Sequence, residues 1–162
     1  MTVAGESPTG RAALDDEDEA PFVPDYLPFL LASTSAAASA EFHAVVRRRG
    51  LRVQEWRVLA SLRDSDGQMT TRLAELALLE QSRLTRILDQ MDARALVERR
   101  SDAEDRRRVR VYLTADGARL ADEMVARARR HEADLIARLP DGTGAELKRL
   151  LRRVHAALVG EA

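Results

Sequence analysis

The chain has 162 residues and a net charge of −1, from 26 Lys plus Arg against 27 Asp plus Glu. It is 45% hydrophobic but only 4% aromatic, which fits one helical domain with extensions, packed by small and aliphatic side chains. It has no cysteine, which excludes disulfides, thiolate zinc sites and thiol redox sensing.

The near-neutral charge hides a segregation. Residues 1–20 carry Glu6, Asp15, Asp16, Glu17, Asp18 and Glu19 against Arg11 alone, a net −5 that leaves the remainder at +4. Residues 1–24 are therefore expected to form an acidic, solvated, disordered tail. Its D-D-E-D-E run lacks the spaced ligands and central glycine of a calcium loop. The opening M-T-V-A-G-E-S-P has no basic region before an apolar stretch, so no secretory signal is expected. No apolar run reaches the roughly 18 residues of a membrane span, so no membrane partner is expected.

A first helix should open at Asp25 or Pro28 and end near Arg49, where Gly50 stops it. Its A-A-A-S-A segment is narrow enough for a second helix to approach closely. The stretch L-R-V-Q-E-W-R-V-L-A-S-L-R-D predicts a second helix with Val53, Trp56, Leu59, Ala60 and Arg63 along one stripe. Met69 fits a short edge strand. Thr70 or Thr71 should cap a third helix, and Gln81–Arg94 should form a fourth with Leu84, Ile87, Leu88 and Met91 inward. Two short helices joined by a tight turn make a helix-turn-helix pattern. A-L-V-E-R-R and V-R-V-Y-L-T read as two antiparallel strands around the polar loop S-D-A-E-D-R-R-R. Thr114 should cap a fifth helix to about Leu139, which Pro140, Asp141, Gly142 and Gly144 break. The last helix carries Leu147, Leu150, Leu151, Val154 and Leu158 at heptad-like spacing.

The fold expected is mostly α with a small β-hairpin wing: a winged helix-turn-helix over 51–114, between dimerisation helices at 25–50 and 115–160. The apolar faces of the terminal helices call for a second subunit. In this layout the fourth helix enters the major groove of double-stranded DNA and the wing reaches a neighbouring minor groove. Gln81, Ser82, Arg83, Thr85, Arg86 and Gln90 lie off the apolar stripe and are candidates for bases and phosphates. Thr70, Thr71 and Arg72 are candidates for the DNA backbone. Arg106, Arg107 and Arg108 at the wing tip suit a narrow electronegative groove, with Asp105 holding Arg107 or Arg108 extended. Read alone, such a loop is a solvated charge run in which the arginines pair with Asp102, Glu104 and Asp105.

The motif D-x-x-D-R-R-R-V-x-V-x-L-T-x-x-G resembles that of the MarR family of bacterial winged-helix transcription regulators. L-T-R-I-L-D-Q-M-D-A-R-A-L-V-E-R-R and Q-E-W-R-V-L-A are similar to the family's recognition helix with first wing strand, and to its second helix. The resemblance covers roughly residues 25–160. It implies a homodimer with interlocked terminal helices that represses from a pseudo-palindromic operator, in the cytoplasm and on the nucleoid. It places the family's wing Asp and Arg on Asp105 and Arg107. It also implies release by a small effector, such as an aromatic carboxylate, between the dimer helices and the DNA-binding lobe. Ser33, Ser39, His43, Arg47, Trp56 and Arg63 are the candidates there, although Trp56 also reads as a core anchor and His43 as an ordinary helix residue. One departure is Ala95, where the family usually has glycine in a left-handed helix cap.

Other classes fit less well. His43, His131 and His155 are far apart, H-E-A-D-L lacks the second histidine of a zinc protease helix, and D-G-T-G-A-E lacks the end of a phosphate loop. No catalytic residue, metal or cofactor is expected. A winged helix used only for protein interaction is the alternative.

Overall fold

The computed structural model describes residues 21–102, 105 and 108–160. The acidic run at 15–19, Arg106 and Arg107 lie outside the described residues. The chain divides into two compact units, Met1–Ala37 and Ala38–Ala162.

In the first unit, α1 (Phe22–Asp25) is a single turn, and α2 (Leu27–Arg48) begins after Tyr26. The expected tail to residue 24 thus gives way to structure at Phe22. The Phe22 and Tyr26 rings lie 5.0 Å apart, and the Tyr26 carbonyl accepts from the Leu30 amide. By length and composition α2 is long and apolar enough to cross a membrane, with a mean hydropathy of 1.3. That corrects the expectation that no stretch reaches this length. Ala and Leu lift the average even though Ser and Thr interrupt the run.

The second unit begins inside α2 and continues with α3 (Val53–Asp64), β1 (Gln68–Met69), α4 (Thr70–Ala77), α5 (Gln81–Asp92), β2 (Val97–Ser101), β3 (Val109–Leu113), α6 (Ala115–Ala137) and α7 (Thr143–Val159). The sheet is antiparallel with β3 between β1 and β2. Val97 pairs with Leu113, Ser101 with Val109, and Gln68 with Val111. Val111, on the central strand, is completely buried.

The apolar stripe of α5 is as expected: Leu84, Ile87, Leu88 and Met91 are all buried. They join Val58, Leu59 and Leu62 of α3, Leu73 of α4 and Met124 of α6 in one core. The stripe of α3 differs from the expected one. Its buried residues are Glu55, Val58, Leu59 and Leu62, while Trp56 and Ala60 are half-buried and Arg63 is exposed. The expected stripe holds at Leu59 and at half-buried Trp56, but the buried face is turned toward Glu55, Val58 and Leu62, leaving Arg63 outside. The helix-turn-helix cap also differs: Met69 occupies the cap of α4 without a side-chain bond, and Thr70 is already helical.

Thr114 caps α6 as its type predicts, and it does more. Its hydroxyl accepts from the Gly117 amide at 3.0 Å and donates to the Ala95 carbonyl at 2.5 Å. Ala95 holds φ at +52°, the left-handed conformation foreseen for it. A Cβ added at Gly117 would lie 1.8 Å from the Leu96 carbonyl oxygen, so α6 can start here only without a side chain. Gly144 was expected to help break the fifth helix but sits within α7, where a Cβ would come 2.8 Å from Ile136 Cγ2. The break falls to Pro140, Asp141 and Gly142, and Gly144 serves close packing instead.

Two substitutions test this joint. Gly117→Ala should destabilise the fold by about 2–3 kcal/mol through overpacking, read by urea unfolding. Ala95→Gly should stabilise it by about 1 kcal/mol, because glycine adopts the left-handed cap without a steric penalty. A neutral Gly117→Ala would contradict the close approach.

Candidate nucleic-acid interface

Helix α5 is two-faced. Opposite its buried stripe it exposes Gln81, Ser82, Arg83, Thr85, Arg86 and Gln90. Arg83 and Arg86 form no ion pair within the described residues. Thr85 donates to the Gln81 carbonyl at 3.1 Å, so its proton is committed to its own helix. Gln90 accepts from the Arg52 guanidinium and is turned toward the start of α3. Ala74, Leu78, Leu79 and Arg83 help line a shallow depression of about 370 Å³ at the turn between α4 and α5. Leu78 makes that turn in the left-handed conformation, φ +56°, with its side chain exposed.

The hairpin is organised by an acid that was read only as part of a charge run. Asp102 is 7% exposed. It accepts from Arg110 Nε and, at 3.1 Å, from the Asp105 amide. Arg110 extends the link to the bend just before β1 by donating to the Gly67 carbonyl at 3.0 Å. The Asp102 and Arg108 backbones close the loop at 2.9 Å. Asp105 lies 3.4 Å from Arg108 Nε, the pairing anticipated for Asp105. Arg108 shares a depression of about 440 Å³ with Thr70 and Thr71, which brings the wing root beside the start of α4. Arg72, in the next position, pairs with Glu75 at 2.9 Å. Arg99 on β2 binds Asp89 at 2.6 Å and Asp92 at 3.5 Å, tying the wing to α5. A D-x-x-D spacing at a strand end was the only signal in the sequence for Asp102, and nothing marked Arg99.

The effector candidates are less unified. Ser33 lies in the first unit and donates to its own helix at Leu30. Ser39 and His43 are half-buried on α2, and Arg47 is exposed. Trp56 meets Phe42 edge-on at 5.2 Å, which supports its core-anchor reading. Arg63 is committed to Asp122 through its Nε. The depression of about 390 Å³ between α2 and α6 is lined by a different set: Glu41, Val45, Arg48, Arg127, Arg130, His131 and Asp134. His131 Nε2 is buried there without a hydrogen-bond partner among the described residues.

Comparison with known proteins decides the family. The MarR family model matches residues 51–109. The crystal structure of a MarR family transcriptional regulator from Silicibacter pomeroyi DSS-3 is 55% identical, with a TM-score of 0.79. That likeness covers 86% of this chain and 99% of the other. The chain belongs to the MarR family. The chain is also similar to the homoprotocatechuate degradative operon repressor of Escherichia coli, 32% identical over 96 residues. The match takes in 59% of this chain and 65% of that repressor, just short of two thirds of its length. A further similar structure is that of BpsR of Bordetella bronchiseptica, whose DNA binding is regulated by 6-hydroxynicotinic acid. It is 25% identical with a TM-score of 0.71, covering 80% of this chain and 93% of BpsR. Membership of the MarR family bears out the winged-helix fold with its small antiparallel sheet.

His43 yields a pH test. Burial holds its imidazole below the ordinary value, and the positive charges of Arg57, Arg47 and His131 add to the effect. The native state therefore binds fewer protons than the unfolded chain, so stability is lost as pH falls through about 6.5. His43→Gln should lose less stability than the parent between about pH 7.5 and about pH 5.5 by urea titration. Equal losses would show that His43 does not supply this dependence.

Proposed function

We propose that this protein is a homodimeric, sequence-specific transcriptional repressor that leaves a pseudo-palindromic operator when a small aromatic acid binds. The observation that carries this reading is the division of α5 into a buried apolar stripe and an exposed face of Gln, Ser, Thr and two unpaired arginines. A helix held by one face and polar on the other suits the major groove. Arg86 and Arg83 supply guanidinium forks for guanine edges, and Gln81 an amide for adenine. Ser82, with Thr70, Thr71 and Arg72 across the turn, suits phosphates, and Thr85 joins them only by releasing the Gln81 carbonyl. Arg106, Arg107 and Arg108 extend the contact to the minor groove beyond a loop root stiffened by Asp102 and Asp105.

Dimerisation is supported by the exposed Leu147, Leu150, Leu151, Val154 and Leu158 along α7, an apolar seam with heptad-like spacing. A second copy covers such a face most economically. Regulation of BpsR by 6-hydroxynicotinic acid and the catabolic repressor from Escherichia coli support the effector class. The protein would then act on the nucleoid in the cytoplasm, without catalysis.

Fluorescence anisotropy with the intergenic DNA beside the protein's own gene tests this across a salt series. Binding should be tight, competitor-resistant and steeply salt-dependent. Half-sites should lie about 34 Å apart. Arg86→Ala should cost about 1–3 kcal/mol and relax base preference, whereas Arg107→Ala should weaken all duplexes and lower the salt slope by about 1. A flat salt response, or parental affinity for both variants, would favour a protein-interaction module instead.

A further inference from the structure

Glu55 is 2% exposed, one of two buried charged residues among the described residues. Neither the core nor the DNA-facing surface accounts for it. Its Oε2 accepts from the Arg52 backbone amide at 2.7 Å. Its Oε1 accepts from the Arg52 guanidinium and from Arg94 Nη1, both at 3.0 Å. Each arginine then reaches onward. Arg52 donates to Gln90 within α5. Arg94, two residues past the end of α5, donates through its other nitrogen to the Gly50 carbonyl at 3.1 Å. Gly50 is fixed in turn to the end of α2 through its amide and the Arg47 carbonyl. One carboxylate thus ties the last turn of α5 at two points to the bend between α2 and α3.

Burial opposes ionisation of Glu55, but the bonds from Arg52 and the charges of Arg52 and Arg94 outweigh it and hold the carboxyl below the usual range. The group is therefore ionised at neutral pH. A buried carboxylate so fully paired is costly to leave with one partner missing. It also offers an orientation that apolar packing does not: the apolar stripe lets α5 slide or roll by small amounts, whereas a two-armed ionic link fixes its end.

We propose that Glu55 is a positioning residue for DNA reading, setting the pose of α5 relative to the end of α2 through Arg94 and Arg52. The inference rests on the DNA-binding reading given above. It assigns to Glu55 no contact with DNA. It makes the bend at Gly50 the place where a movement of α2 reaches the base-reading helix, because Arg94 transmits displacement of the Gly50 carbonyl to the chain just beyond α5.

The probes are a duplex selected by the full-length protein from a random-sequence pool and a scrambled duplex of the same length. Affinities are measured for the parent, Glu55→Gln, Arg94→Ala and the double variant, with thermal unfolding as a check on folding. Each single variant should lower the preference for selected over scrambled DNA by about tenfold, and the double variant no further, because both break one link. Affinity for scrambled DNA and its salt slope should match the parent. Arg94→Lys, which keeps the charge on Glu55 but loses the fork to Gly50, should recover part of the preference. Arg94 is well exposed, so Arg94→Ala carries the test even where Glu55→Gln fails to fold. An equal loss on both duplexes with a shallower salt slope would make Arg94 a phosphate contact and overturn the proposal. Unchanged preference in a folded variant would overturn it as well. If the parent selects no sequence at all, the DNA-binding reading itself fails and this inference falls with it.

Discussion

Gly117 approaches the Leu96 carbonyl so closely that one added methyl group would overlap it. That contact, with the Thr114 hydroxyl bridging Ala95 and Gly117, joins three parts of the molecule in a few ångströms. The end of α5, the root of the wing and the first turn of α6 all converge there. The hairpin leaves after Ala95 and returns at Thr114, so its direction is set by the same bonds that start α6. Ala95 adopts a strained backbone at this point rather than moving the joint.

Charge has a similar organising role within the second unit. Arginines act as pins between elements rather than as a uniform basic coat. Arg99 fastens β2 to α5, Arg110 fastens Asp102 in the wing to the Gly67 bend before β1, and Arg94 fastens the end of α5 to the Gly50 bend. Arg138 holds Glu41 with two bonds of 3.0 Å, linking α6 to α2. Exposed pairs of this kind add little stability individually. Their value is geometric, since each planar guanidinium satisfies two acceptors at fixed angles. Arg83 and Arg86 form no such pair within the described residues and stay open on the exposed face of α5.

The apolar surface follows a complementary logic. Interior faces are closed around Val58, Leu62, Leu84, Leu88 and Met124, whereas α7 leaves a whole row of leucines in contact with water. An exposed seam of that length is a cost in an isolated chain and a gain in an assembled one. The same amphipathic spacing that makes α7 a good helix therefore also argues for an occupant.

The sequence by itself determined the order of elements, the buried stripe of α5, the hairpin and the cap at Thr114. These follow from local periodicity and residue type, which act over a few residues. It also marked Ala95, because a left-handed cap without glycine is a local anomaly. It misread α3, where Glu55 stands inside and Arg63 outside, and it misread Gly144 as a helix breaker. Only the tertiary structure decided those points. Whether a glutamate is buried depends on Arg94, 39 positions away, arriving to neutralise it. Whether a glycine ends a helix or lets two helices touch depends on where Ile136 lies. Asp102 likewise becomes the organiser of the wing only when Arg110 and the Gly67 carbonyl are brought beside it. Local pattern fixes which segments fold, and long-range partners fix what each polar residue is for.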